Sequence, residues 1–283
     1  MTGLVIALLI VCPVFSFDPS SINYCDLKCG DEENSACKCD PLDRRSEDLS
    51  DLQQFRKRIL ERHNDIRTRV ASDREHLQFC GKASNMNVLS YDLELEYVAR
   101  CYAIKYVFHH DKCRRTSKFA KPGQVIVRFP RKPQMKDIFE EVTALCLVQV
   151  QFITNSTIDS YGGYRGIGNA HIEDFTQMVW WSHTHVGCAR VYNPDAILKH
   201  DTYVLICNYG GSREANVVGE PVYKKGEPCT ECPNNGRCNQ SYLKLCGVLE
   251  PVPNDTLKSI ANAGLAIRNT IPLVLLGSLV LHF

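Results

Sequence analysis

The chain has no unbroken stretch of about twenty apolar side chains, the length an ordinary membrane-spanning helix needs. It has almost no net charge, +1 with histidine neutral, so no global field recruits nucleic acid. It lacks a G-x-S-x-G elbow and an H-E-x-x-H helix, which removes two common hydrolase arrangements. No internal repeat is visible. Residues 226–246 hold almost no apolar side chain, so that stretch cannot build a core of its own.

Cysteine, by contrast, is abundant. Residues 4–15 form an uncharged apolar run, and Val14-Phe15-Ser16 places small residues where a signal peptidase reads them. No Lys or Arg precedes the run, so its positive end is the α-amino group. Residues 1–16 are therefore expected to be a signal peptide. Fifteen cysteines, one of them Cys12 within this leader, leave fourteen. An even number in an exported chain implies disulfides. Sequons at Asn155, Asn239 and Asn254 agree with passage through the secretory route.

Along the chain, residues 17–45 read as an irregular arm pinned by Cys25, Cys29, Cys37 and Cys39. Apolar spacing of three and four predicts helices over residues 48–71, 92–108 and 134–153, and a short one over 174–181. β-branched runs predict strands over 125–129, 186–192 and 203–208, the last two paired antiparallel with a bridge between Cys188 and Cys207. Residues 226–246 carry four cysteines as a disulfide knot. Residues 112–136 hold nine Lys or Arg and no Asp or Glu, either a solvated basic face or a strip for sulfated glycans or acidic lipid heads.

The strings Arg62-His63-Asn64-Asp65, His110-Asp111-Lys112-Cys113, Thr176-Gln177-Met178-Val179-Trp180 and Cys207-Asn208-Tyr209-Gly210 occur in one order. Together they resemble the CAP superfamily of cysteine-rich secretory, antigen 5 and pathogenesis-related proteins. The arm from Asn23-Tyr24-Cys25 to Ala36-Cys37-Lys38 is similar to the arthropod venom antigen 5 branch. The resemblance, over residues 23–246, implies an α+β fold, a three-layer α-β-α sandwich over residues 46–225. It also implies the pairs Cys25–Cys37, Cys29–Cys113 and Cys188–Cys207. Its pattern ties Cys39 to Cys101, leaves Cys80 for Cys146, and gives the knot Cys229–Cys238 and Cys232–Cys246.

The family's central cleft carries two histidines and two acids, which bind a divalent metal in some members. Those positions fall here on His110, Gln124, Glu141 and Asp174. Glu141 lies three after Ile138 and four before Leu145, which predicts a buried face. Asp174 replaces the second histidine, with His171 nearby as a substitute. A single imidazole among oxygen donors suits zinc poorly and Mg or Ca slightly better, so no metal or other cofactor is expected. His63 sits on the apolar stripe of its helix and reads as a satisfied core histidine. Ser182 and His183 are adjacent and would diverge on a helix.

The expected function is a non-enzymatic extracellular scaffold binding a lipid or sterol, an anionic glycan or an extracellular protein. The family's sterol loop maps onto residues 128–133, with Arg128, Phe129, Arg131 and Lys132 as candidate contacts. A metal-dependent hydrolase at the cleft and a receptor- or channel-modulating, toxin-like protein acting through the knot are the alternatives. The apolar residues 271–283 follow the small triplet Asn262-Ala263-Gly264. This predicts a glycolipid anchor at Asn262 rather than a membrane span, with 247–264 as linker and 265–283 removed. Mass spectrometry of the mature carboxyl terminus should find Asn262 as the last residue, bearing the anchor; a carboxyl terminus at Phe283 would contradict it.

Overall fold

A computed structural model describes residues 17–40, 46–73, 81–105, 109–130, 133–163, 165–195 and 200–254, without the side chains of residues 135, 145–147, 193–195 and 200–202. The leader, Arg131, Lys132, Cys80, the Cys146 side chain and the anchor site at Asn262 lie outside the described residues.

Helix α1 (Leu52–Ser72) leads to strand β1 (Ser90–Tyr91), helix α2 (Leu93–Ala103) and strand β2 (Gly123–Phe129). Helices α3 (Met135–Val150), α4 (Asn155–Asp159) and α5 (Glu173–Val179) follow, then strands β3 (His183–Asp195) and β4 (His200–Gly211). The sheet order is β1-β3-β4-β2, with β1 parallel to β3 and the other pairs antiparallel. Cys188 and Cys207 stand opposite each other in the β3–β4 register and are bonded.

Period-two alternation assigns the two faces. Tyr203, Leu205, Cys207 and Tyr209 of β4 enter the main core, on the side of α1, α3 and α5. Val204 and Ile206 enter a smaller core against Ala99, Tyr102 and Ala103 of α2. Gly187 lets α2 sit directly on β3, since a Cβ there would collide with the main chain of Asp92 and Glu96.

Helix α2 was expected to bury one side only, yet every residue from Glu94 to Ala103 is buried. The sheet covers one face and the amino-terminal arm the other. Tyr24 of the arm packs on Tyr97, and Ser35 N–H donates to Cys113 O at 2.8 Å. Disulfides Cys29–Cys113 and Cys39–Cys101 fasten that contact, and Cys25–Cys37 closes the arm on itself. The charges on α2 are matched individually. Arg56 donates two hydrogen bonds to Glu96, at 2.7 and 2.6 Å, and Ser117 donates to Glu94 from its N–H and its hydroxyl. Buried charges persist because each has such partners.

Several elements differ from the sequence reading; strand β1 was not anticipated, α3 ends at Val150, and β3 and β4 run longer than expected. Helix α1 starts at Leu52, not residue 48, because Asp48 is held by β3: its N–H donates to Arg190 O and its side chain accepts from Ser50 and Tyr203. Helix α2 ends at Ala103. The short α4 was not anticipated; Thr154 caps it by accepting from Thr157 N–H at 3.1 Å.

The knot is joined to the sandwich by main-chain bonds. Val88 N–H donates to Cys246 O, Cys246 N–H to Met86 O and Glu231 N–H to Ser84 O, while Leu245 enters the main core. Cys229–Cys238 and Cys232–Cys246 are both formed.

Arg67 lies at the centre of the main core. Its guanidinium makes five hydrogen bonds to the carbonyls of Asn87, Met178, Trp180 and His183, at 2.7–3.4 Å. Beside it, His63 donates from Nδ1 to Ile59 O at 2.7 Å and its Nε2 accepts from the Tyr209 hydroxyl at 2.8 Å. His183 donates from Nδ1 to Gln177 O and stacks on Tyr209. Burial, opposed by the Ile59 carbonyl and reinforced by Arg67, pulls the His63 pKa down to about 4. Burial and Arg67 bring His183 to about 3. Both rings are thus neutral in the folded protein.

The unfolded chain therefore binds protons that the folded one does not, and stability falls as pH drops below the unfolded value of about 6.5. Each histidine should cost about 2 kcal/mol at pH 5 relative to neutral pH. Urea unfolding at pH 7.5 and pH 5 should show that loss, and replacing both histidines by glutamine should shrink it. Equal stability at the two pH values would contradict the assignment.

Candidate functional site

His110 follows α2 on a segment tied down at several points. Cys113 is bonded to Cys29, Asp111 accepts from the Ser35 hydroxyl and from Arg114, and Arg114 Nη1 donates to Pro122 O. The imidazole then meets a chain of amides with a fixed direction. Asn208 Nδ2 donates to Leu95 O at 3.3 Å, Gln124 Nε2 donates to Asn208 Oδ1 at 3.1 Å, and Gln124 Oε1 faces His110 Nδ1 at 3.0 Å. A main-chain carbonyl only accepts, so each amide is oriented in turn and His110 Nδ1 must donate. In the neutral ring Nε2 keeps its lone pair, and it points toward Glu173, whose Oε1 is 4.0 Å away.

That nitrogen faces a cleft of about 390 Å³ at the open edge of the sheet. One wall is His109, His110 and the edge-strand residues Ile126, Val127 and Arg128. The other is Glu141 of α3 with Glu173 and Asp174 of α5. Three of the four expected positions therefore meet here. Gln124 does not line the cleft; it is buried behind His110 and orients it.

Glu141 corrects a second expectation. It is exposed rather than buried, because Ile138 and Val142 supply the packed face of that turn while Glu141 borders the solvent-filled cleft. Asp174 is half-buried and accepts from Gln149 Nε2 at 2.8 Å; the same amide's oxygen accepts from Phe175 N–H. Glu173 was missed. It precedes Asp174 in the first turn of a helix, and the motif register alone points one residue further on.

His171 is exposed, bridges to Arg165 and does not line the cleft. Ser182 and His183 do not pair: the hydroxyl donates to Arg213 O and the imidazole to Gln177 O.

The donor set does not fit a metal as arranged. Among the described residues the groups of three or more ligand atoms within 4.8 Å of one another are cystine clusters, none of them at the cleft. Among the described residues no serine, threonine or cysteine lines it, so none stands beside His110 as a hydroxyl or thiol nucleophile. The basic run is compensated in part. Lys112, Arg114, Lys118, Lys121 and Lys136 pair with Glu32, Asp111, Asp92, Glu214 and Glu140. Arg128 is exposed at the cleft, whereas Phe129 packs edge-on to Tyr203. Of the three sequons, Asn155 and Asn254 are exposed. Asn239 is buried, its Nδ2 donating to Gly247 O at 3.0 Å, so the atom a glycan would need is already engaged.

A larger cavity, about 550 Å³, opens between α1 and the segment leaving the knot. Leu60, Tyr242, Leu249, Pro251 and Val252 form its apolar walls, with Lys57, Glu61, Ser241 and Glu250 also lining it. No local pattern reports it, since it arises where two segments nearly two hundred residues apart come together. A third, charged cavity of about 400 Å³ lies between α1 and α3.

The model of the Cysteine-rich secretory protein family, CAP, matches residues 60–209. The chain belongs to the CAP family. It is 34% identical over 171 residues to Venom allergen 3 of Solenopsis invicta, covering 59% of this chain and 70% of that protein. It is 29% identical to Venom allergen 5 of Polistes dominula, covering 78% and 97%. The solved structure of NaASP2 with Zn2+ superposes with a TM-score of 0.55 at 22% identity, over 72% of this chain and 98% of that one. Na-ASP-1 gives 0.54 at 23%, over 68% and 47%. The chain is thus an extracellular venom-allergen-like CAP protein, from a family whose members are generally non-enzymatic.

The amide chain makes a specific demand on this CAP cleft. Nitrogen-15 NMR at pH 8 should find the His110 proton on Nδ1, and Gln124→Leu should give a mixture of tautomers without unfolding the protein. A wild-type proton on Nε2 would contradict the assignment.

Proposed function

We propose that this CAP protein is an extracellular, non-enzymatic scaffold that carries a lipid-like ligand. The observation that carries the reading is the contrast between the His110 cleft and the groove beside α1. Among its described residues the cleft holds a well-oriented histidine but no hydroxyl or thiol nucleophile and no converged set of metal ligands. The larger groove is walled by apolar side chains with a few polar groups at its margin, the usual make-up of a small-molecule site. Its volume falls in the range such sites occupy.

A metal-dependent hydrolase is the weaker reading. The zinc in the name of the NaASP2 structure belongs to that protein, and here an aspartate stands at Asp174 with three carboxylates facing one exposed imidazole. An anionic glycan on the basic run is weakened by the acids that pair with it.

The purified full chain should take up a fluorescent sterol or fatty-acyl probe saturably, at about one per molecule. It should show no esterase or protease turnover with Zn, Ca or Mg that His110→Ala removes. Absence of uptake, or turnover abolished by that substitution, would overturn the reading.

A further inference from the structure

We propose that the groove between α1 and residues 241–252 selects amphiphiles that join an apolar chain to a cationic head. The inference rests on the lipid-binding reading and adds the site and the charge of the ligand.

The groove is preformed. Its outer wall is the chain after the knot, which is held at two points. Glu250 N–H donates to the Ser90 hydroxyl at 2.9 Å, and Pro253 O accepts from Arg56 Nη1 at 3.4 Å. Arg56 is itself fixed by the two hydrogen bonds to Glu96. Tyr242 is set by Asn239, whose Oδ1 accepts from its N–H at 2.9 Å, and Leu245 anchors the same turn in the core. The wall therefore cannot fall back onto Leu60 of α1, and the space between them stays open to an apolar chain. Leu249 and Val252 are only half-buried without such a ligand, so covering them adds hydrophobic free energy at little ordering cost.

The margin is acidic. Among the described lining residues Glu61 and Glu250 stand with one cation, Lys57; Lys118, whose charge also reaches Glu250, is paired with Asp92 at 3.1 Å. Lys57 lies 4.0 Å from Glu61 with both side chains largely exposed, an arrangement of small energy that leaves the carboxylate available. Burial chiefly, with Asp65 and Glu61, raises the Tyr242 pKa, so the field of both acids reaches the groove wall. Across the margin His185 lies 3.8 Å from Glu250, but burial lowers its pKa and it brings little positive charge at neutral pH. An ammonium head seated at the mouth would meet two carboxylates, whereas a carboxylate head would be repelled by both.

The test uses the full chain and three C12 probes below their aggregation limits, with trimethylammonium, hydroxyl and carboxylate heads, titrated by calorimetry at low salt. The cationic probe should bind about tenfold or more tighter than the carboxylate. The double substitution Glu61→Lys, Glu250→Lys should remove or reverse that order while leaving the alcohol unchanged, and its melting temperature should stay near wild type because both side chains are exposed. Leu249→Arg should abolish binding of all three.

Equal affinity for the three heads, or a preference that survives the double lysine variant, overturns the cationic selection and leaves the lipid-binding reading standing. No binding by any probe, with the sterol and fatty-acyl probes also rejected, overturns both. If Leu249→Arg instead dissociates a dimer in sedimentation, the groove is an interface between copies and the inference is wrong.

Discussion

One buried cation, Arg67, ties three separate segments of the main core together. The described partners of Arg67 are all main-chain oxygens, and they come from three places: the turn at Asn87, the end of α5, and the first residue of β3. Removing the guanidinium takes a donor from each of these carbonyls, and one left buried without any costs about 1–3 kcal/mol; Trp180 O would still accept from His183 N–H at 3.2 Å. Burial lowers the guanidinium pKa to about 9, so the charge survives at neutral pH. That charge in turn helps keep His63 and His183 neutral on either side of Tyr209. Arg67 thus contributes both to the position of α5 and to the acid sensitivity of the fold, which burial of the two rings chiefly causes.

Helix α5 carries Glu173 and Asp174, so the acidic wall of the cleft stands where Arg67 fixes the other end of that helix. The opposite wall is placed from the far side of the sheet, through Leu95 of α2, Asn208 and Gln124 to His110. Disulfides secure the outer layer that makes this possible. Without the arm, the charged outer face of α2 would be solvated and the segment bearing His110 would lose its tie at Cys113.

Much of this was legible in the sequence, and the reasons it was not elsewhere are physical. The β3–β4 pairing and its Cys188–Cys207 bridge were readable from the β-branched runs; the other five bridges followed only from the family resemblance, and all six are formed. His63 was readable from spacing alone. Periodicity failed where a second layer covered a polar face, as on α2. It failed again at Glu141, where an apolar face meets a cleft instead of a core. Local capping hid the start of α1 and the existence of α4. The groove beside α1 was beyond reach, since no local pattern reports a cavity formed by Leu60 and Val252 together. Asn239 shows the same limit: a sequon is a local string, whereas the burial of its amide depends on how the knot closes.

The most direct measurement is the stability of Arg67→Met, which keeps the length of the side chain and removes its donors. The account predicts a loss of several kcal/mol in urea unfolding. It also predicts that amide exchange over residues 178–183 accelerates before the rest of the sheet, because those carbonyls lose their shared donor. A variant within about 0.5 kcal/mol of wild type, with unchanged protection there, would contradict the claim that Arg67 holds α5 and β3 in place.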